Sequence, residues 1–585
     1  MMKKLIALLL FISFQASIAQ QKTYCNPINV DYGYTPFDVF SKQGKHRATA
    51  DPVIVNFRNK YFLFSTIQEG YWWSDDMLNW KFVYRKFLRD NKYIHDLNAP
   101  AVWAMKDTLY VYGSTWQSDF PIWKSTNPTV DDWQIAVDTL KVGAWDPAFH
   151  YDEDQDKLYL YWGSSNVWPI LGTKINTKTM QSEGYTVPIV RLFPEDHGWE
   201  RFGEYNDNVF LQPFIEGPWM TKHNGKYYMQ YGAPATEFSG YSDGVYVSND
   251  PLVRFEYQSH NPFSYKPGGF ARGAGHGATF EDNYGNYWHI STIFISVKNN
   301  FERRIGIWPA GFDKDDVMYC NTAYGDYPTL LPEFSQEKDF SKGLFAGWML
   351  LNYQKPIQVS STLGGYQANF AVDEDIKTYW SAASGEKGEW FQTDLGDVST
   401  IYAIQINYAD QDVEFKGKTL GKFHQYKIYG SNDGKKWNVI VDKSSNTNDV
   451  PHDYVELKTP AKARYLKIEN IKMPTGKFAL SGFRVFGKGA GSEPEKVEDF
   501  IVLRSSPEKY GERRSIWFKW QQNSLADGYV IYWGKSPDKM YGSIMVYGKN
   551  EYFFTGADRT DAYYFQIEAF NANGISERTK VVKSD

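Results

Sequence analysis

Residues 156–164 read DKLYLYWGS: a turn residue, then alternating apolar and aromatic side chains ending in Gly-Ser. A short apolar and aromatic run opened by a turn residue reads as a β-strand of a hairpin. The pattern recurs as NKYFLFST (59–66), DTLYVYGS (107–114), GKYYMQYG (225–232) and GNYWHIST (285–292). The aromatic positions Phe62, Tyr110, Tyr159, Tyr228 and Trp288 are 48, 49, 69 and 60 residues apart. A second strand candidate follows each, among them GYWWSDD, FPIWKST and GVYVSND. Sheet units repeating at this interval are propeller blades, and five of them predict a five-bladed β-propeller.

About a dozen residues before each aromatic stands one polar or ionisable group. These are Asp51 in TADPVI, Asn98 in LNAPAV, Asp146 in WDPAF, Glu216 in IEGPWM and His276 in GHGATF. The first strand of a blade lines the central channel, so the five should meet near one axis. Asp before Pro starts many ordinary turns. The same place in the repeat being acidic three times is what favours a site. Three carboxylates and a His suit either oxygen-ligand metal binding or acid/base cleavage of a glycosidic bond. Glu216, between Ile215 and Trp219, reads as the carboxyl that burial holds protonated. Asp51 reads as the base, and Asp146 as a charge that tunes Glu216.

ADP, WDPAF and EGPW, in this order on three blades, resemble the catalytic triad of glycoside hydrolase family 43. NPI at 26–28, NAP at 98–100 and GHGATFEDNYGNYWH are similar to that family as well, and the likeness covers residues 22–335. It implies a five-bladed propeller cleaving arabinosyl, xylosyl or galactosyl linkages with inversion. Asp51 would then be general base, Glu216 general acid and Asp146 the modulator, acid and base standing about 6.5–9.5 Å apart. It implies a channel cation, calcium above all, held with help from His276, and no organic cofactor. Asn98, Trp219 and Arg303 or Arg304 of ERRIGIWPAG would touch the sugar. Asn98 stands where the family often has Trp, and an insertion precedes Asp51; both bear on which sugar is taken.

Residues 355–488 carry NFAVDEDIKTYWSA, GEWFQTDLGD and ALSGFRVFGKG, which resemble a discoidin or coagulation-factor type C β-sandwich. Such modules often bind sugar and hold calcium, here with Asp373 and Asp375; a turn built on the DED stretch accounts for the same two acids. After the linker KGAGSEPEK, residues 497–585 resemble a fibronectin type III sandwich. The fold class expected is all-β, a propeller followed by two sandwiches.

A net charge of −6 gives no reason to expect nucleic acid or an anionic membrane as partner. The partner expected is a poly- or oligosaccharide, met by a monomer. Residues 1–19 show a basic start, an apolar stretch and Ser17-Ile18-Ala19, a signal peptide cut after Ala19, too short to favour a span. The protein is read as exported. Cys25 and Cys320 are either a disulfide clasp or two buried thiols. The leading function is an exo-acting α-L-arabinofuranosidase or β-xylosidase. The alternatives are a non-catalytic sugar-binding or adhesion protein on the same scaffold, a galactan-directed relative, and a retaining fructosidase-type enzyme with carboxyls only about 5–5.5 Å apart.

Overall fold

The computed structural model describes residues 23–35, 45–85, 97–114, 120–142, 145–295, 297–331, 339–415, 417–418, 420–505 and 514–584. The signal-peptide segment lies outside them. Among the described residues the chain is all-β, with helix confined to two 3-10 turns, Gly198–Glu200 and Ala368–Ala371. No helix among them is long and apolar enough to cross a membrane.

Five four-stranded antiparallel units follow one another, their innermost strands being Val53–Phe57, Asn98–Met105, Ala148–Asp152, Glu216–His223 and Arg272–Glu281. Each innermost strand packs on the next, and the fifth packs on the first, so the ring closes. That is the five-bladed propeller the repeat predicts.

Sheets that fan from an axis leave wedge-shaped gaps, and large flat side chains fill them. Trp103 stacks on Phe149 of the next blade at 4.0 Å between centroids, and Tyr71 lies on Phe64 at 4.4 Å with Trp133 edge-on. Packing of this kind accounts for much of the aromatic wealth. The N-terminal segment is sewn to the fifth blade: Asn26 Nδ2 donates to the carbonyls of Ile307 and Gly325, and its Oδ1 accepts the Ile307 N–H. Cys25 and Cys320 are both buried free thiols.

The second sheet system runs Met349–Leu350, Ala479–Lys488, Trp390–Tyr408, His452–Lys472, Gln425–Ser431, Asn438–Asp442. It reaches back to Met349, which pairs with Gly487. The third domain is a second sandwich, a three-stranded sheet (Ile501–Arg504, Ile516–Lys519, Glu551–Phe554) over one centred on Gly528–Gly534 and Tyr563–Asn571. Trp533, Phe518 and Phe565 fill the space between its sheets.

Candidate active site

The five polar residues come from the blade entrances, but not from one register. Asp51, Ala99, Asp146, Gly217 and His276 all have left-handed backbone, with φ of 49, 41, 49, 57 and 45°. Four of them precede a proline (52, 100, 147 and 218), which bars the following residue from donating into the sheet. In blades one, three and five the functional side chain sits on the left-handed residue itself. In blades two and four that residue is Ala99 or Gly217, and the polar side chain, Asn98 or Glu216, stands one residue earlier. Asn98 and Glu216 therefore pair in their sheets, with Ser114 and Gly232. The single equivalent position expected from the repeat is thus two adjacent ones, which send side chains in different directions.

A left-handed backbone is strained for non-glycine residues and must be held. The holding groups come from the preceding blade. Asp51 N–H donates to Thr292 Oγ1 (3.0 Å), Ala99 N–H to Thr66 Oγ1 (2.8 Å), Asp146 N–H to Ser114 Oγ (2.7 Å) and His276 N–H to Asp243 Oδ1 (2.7 Å). Thr66 also donates to Asp51 Oδ2 at 2.5 Å, so one hydroxyl fixes two blades.

Asp51, Asn98, Asp146, Glu216, His276 and Arg303 line one cavity of about 670 Å³. His276 Nδ1 lies 3.2 Å from Asp51 Oδ1 and 3.8 Å from Asp146 Oδ2; Arg303 Nη1 is 3.7 Å from Asp51 Oδ1. Burial alone would push Asp51 up; His276, Arg303 and the Thr66 hydroxyl outweigh it and hold the carboxyl below the ordinary range. For Asp146 burial wins: together with the Glu216 and Asp51 carboxylates it pushes the group up to about 8, against the pull of His276 and the Gly217 N–H. Burial would lower His276, yet the surrounding carboxylates raise it.

Glu216 is not in the apolar setting its sequence neighbours indicate. Along a strand, neighbours point to opposite faces. Ile215 enters the core between blades three and four, and Trp219 packs in the propeller core, its Nε1–H bonded to the Thr279 carbonyl. Glu216 Oε1 instead accepts from Tyr241 Oη (2.6 Å) and Oε2 from Ser164 Oγ (3.1 Å). Trp219 is not among the residues lining the cavity. Neither is Arg304: one residue beyond Arg303 on its strand, it points to the opposite face and meets Asp410 and His452 of the second domain.

Calcium takes about 6–8 oxygen donors. The nearest carboxylates to the His276 ring are those of Asp51 and Asp146, and with Asp51 it makes an ion pair. Among the described residues no group of three or more His, Cys, Asp or Glu is arranged to hold a metal. In the second domain, Asp373 accepts from Asp375 N–H and Thr378 Oγ1, and Asp375 from Lys377 N–H and Arg272 Nη2. Their oxygens serve a turn and an ion pair. The donor sets do not fit calcium.

The cavity also holds residues the sequence reading missed: Thr66, Trp145, Ser164, Phe214, Glu237 and Phe301. Thr66 and Ser164 close two of the aromatic repeats, and Trp145 precedes Asp146, so repeat position was the available signal for these three. Glu237 and Phe301 sit on loops outside the repeat and had none.

Residues 45–318 match the family model of glycosyl hydrolases family 43, and residues 356–482 that of the F5/8 type C domain. The chain carries a family 43 glycosyl hydrolase domain. An F5/8 type C, discoidin-like domain follows it.

Among solved structures, one described as a thermostable family-43 glycoside hydrolase aligns at 21% identity over 51% of this chain and 96% of its own, with a TM-score of 0.41. An endo-1,4-beta-xylanase from Bacteroides thetaiotaomicron VPI-5482 aligns at 22% over 47% and 94%, TM-score 0.39. The Bacteroides ovatus "Xyloglucan PUL GH43B" aligns at 14% over 80% and 98%, TM-score 0.41. No curated protein matches the chain.

Proposed function

We propose that the cavity around Asp51, Asp146 and Glu216 is the active site of an exported, inverting, exo-acting α-L-arabinofuranosidase or β-xylosidase. The observation that carries this is the opposed setting of two carboxyls in one pocket: Asp51 held ionised, Asp146 pushed up to about 8 beside Glu216. Acid/base hydrolysis needs that division.

In this reading Asp51 accepts a proton from water as the water oxygen attacks the anomeric carbon. Asp146, raised to about 8, keeps a proton beside Glu216 at neutral pH. Glu216, as general acid, gives a proton to the departing glycosidic oxygen while Tyr241 and Ser164 fix its orientation. His276 and Arg303 keep Asp51 charged. Arg303 lines the cavity with Nη1 between Asp51 and Thr236, where its guanidinium can meet a sugar hydroxyl. Asn98 and the rings of Trp145, Phe214 and Phe301 complete the wall. Residues 1–19 direct export. The third domain is a fibronectin type III-like spacer, in line with its three-stranded sheet facing a larger one.

The test is sugar release from arabinan, arabinoxylan, xylan and arabinogalactan by wild type and Glu216→Gln, with the anomer of the first product read by NMR. One monosaccharide released by wild type, in inverted form, is expected. Glu216→Gln should lose turnover on these glycans far more than on activated aryl glycosides, whose leaving groups need less protonation. Asp51→Asn should lose both equally. Equal losses for Glu216→Gln on both substrate types would remove Glu216 as the acid, and retained configuration would remove the inverting mechanism.

A further inference from the structure

The discoidin-like domain grips the two segments that carry Asp51 and Arg303. Arg47 lies four residues before Asp51, and Arg304 directly follows Arg303. Asp410, on the discoidin-like domain, takes hold of both. Its Oδ2 accepts the Arg47 backbone N–H at 2.9 Å and lies 3.3 Å from Arg304 Nη2; its Oδ1 is 3.5 Å from Arg47 Nε. The two arginine side chains are 2% exposed and Asp410 is 6% exposed.

The grip reaches the backbone of both segments. Arg304 Nη1 donates to the carbonyls of Arg47 (2.7 Å) and Arg303 (2.9 Å), and Thr49 N–H donates to the Arg303 carbonyl (3.3 Å). Arg304 Nε–H donates to His452 Nε2 (3.0 Å), whose Nδ1 stands 2.8 Å from Asn407 Oδ1. An imidazole accepting at one nitrogen and facing an amide oxygen at the other is neutral, with its proton on Nδ1. Charge in the cluster then balances as two arginines against Asp410 and Asp449, the latter forking Arg47 at 2.7 and 2.9 Å.

Burying four charges at a domain boundary is a costly way to join two domains, since apolar packing of like volume holds as well. What a fork of charge-assisted hydrogen bonds adds is fixed geometry. We infer that Asp410 is a positioning residue for the pocket: through Arg47 and Arg304 it sets Asp51 and Arg303 against each other, and the discoidin-like domain is a working part of the catalytic unit. This rests on reading the pocket as the hydrolytic site.

The test uses the full chain as wild type, Asp410→Asn and Glu374→Gln. Glu374 forks Arg484 at 2.9 and 2.8 Å, equally buried at the same domain boundary, but touches neither segment. Both variants should melt lower than wild type. On para-nitrophenyl α-L-arabinofuranoside or β-D-xylopyranoside, Asp410→Asn should lose at least about tenfold in kcat, because a misplacement of about 1 Å costs on the order of a hundredfold. Glu374→Gln should stay within about twofold. A kcat for Asp410→Asn within twofold of wild type, or an equal loss in Glu374→Gln, overturns the inference. If wild type cleaves neither glycoside, the arabinofuranosidase or xylosidase reading falls by itself. Crystal structures of wild type and Asp410→Asn then decide: a widened Arg303–Asp51 separation supports the positioning role, and an unchanged one overturns it.

Discussion

His276 and Asp51 form an ion pair, Nδ1 to Oδ1 at 3.2 Å, across the seam where the fifth blade meets the first. Each partner shifts the other: the carboxyl is held low and the imidazole high. A depressed carboxyl contributes stability above its unfolded pKa, and that contribution is lost as pH falls through its folded value. A raised imidazole contributes below its unfolded pKa and loses that contribution as pH rises through its folded value. The pair is therefore strongest between those limits.

His276→Gln removes the cation and leaves burial free to push Asp51 up. The acid limb of the kcat/KM profile, where Asp51 must be ionised, is expected to move to higher pH. Initial rates across the acid range check this; an acid limb that stays in place would separate His276 from the ionisation of Asp51.

Asp146 is the reverse case. Its pKa is raised to about 8, so its contribution to stability is full below about 3.9, the ordinary carboxyl value, and is lost as pH rises through about 8. Asp146→Asn abolishes that loss. The variant's Tm relative to wild type should climb steadily from acid to pH 8, while turnover falls by about tenfold or more. Thermal melts at several pH values show the trend, and a Tm difference that does not change with pH would contradict it.

The sequence made the propeller legible because each blade repeats one strand whose aromatic residues fill the wedge beside the next blade. The grouping of Asp51, Asp146 and Glu216 was legible for a related reason: each acid stands at the head of the strand before that one. The one-residue offset was not. Prolines 52 and 147 follow their acids directly, whereas prolines 100 and 218 follow a spacer, Ala99 or Gly217, and only the backbone shows that the spacer takes the left-handed place. The setting of Glu216 was misread because Ile215 and Trp219, near it in sequence, face other spaces. Arg303 and Arg304 could not be separated from two adjacent letters; the strand's alternation gives the first to the pocket and the second to Asp410.

Thr66 is a joint between blades one and two, donating to Asp51 Oδ2 and accepting the Ala99 N–H. Thr66→Val keeps the shape and removes both bonds, leaving a carboxylate oxygen and a buried N–H unpaired at a cost of about 1–3 kcal/mol. Thr66→Ser keeps both bonds. Valine is expected to lower Tm and move the acid limb to higher pH, and serine to stay near wild type. If both variants behave alike, the hydroxyl is not what holds Asp51.

Gly217 supplies the left-handed residue of blade four at φ 57°, and its α-carbon lies against the His276 ring. A Cβ there would stand 2.4 Å from ring carbons Cγ and Cδ2, so the ring must move, and a moved ring is expected to loosen its pairing with Asp51. Gly225 is the proper control: it too is left-handed, at φ 76°, yet a Cβ would meet nothing within 4 Å. Gly225→Ala carries the backbone strain alone, about 1–2 kcal/mol, and should leave turnover unchanged. Gly217→Ala carries the strain and the displaced ring, and should lose Tm further and turnover by tenfold or more, with the acid limb shifted as in His276→Gln. Equal Tm losses with full activity in both would mean that the ring has room to move without releasing Asp51, and the close packing of Gly217 would then be a matter of blade geometry alone.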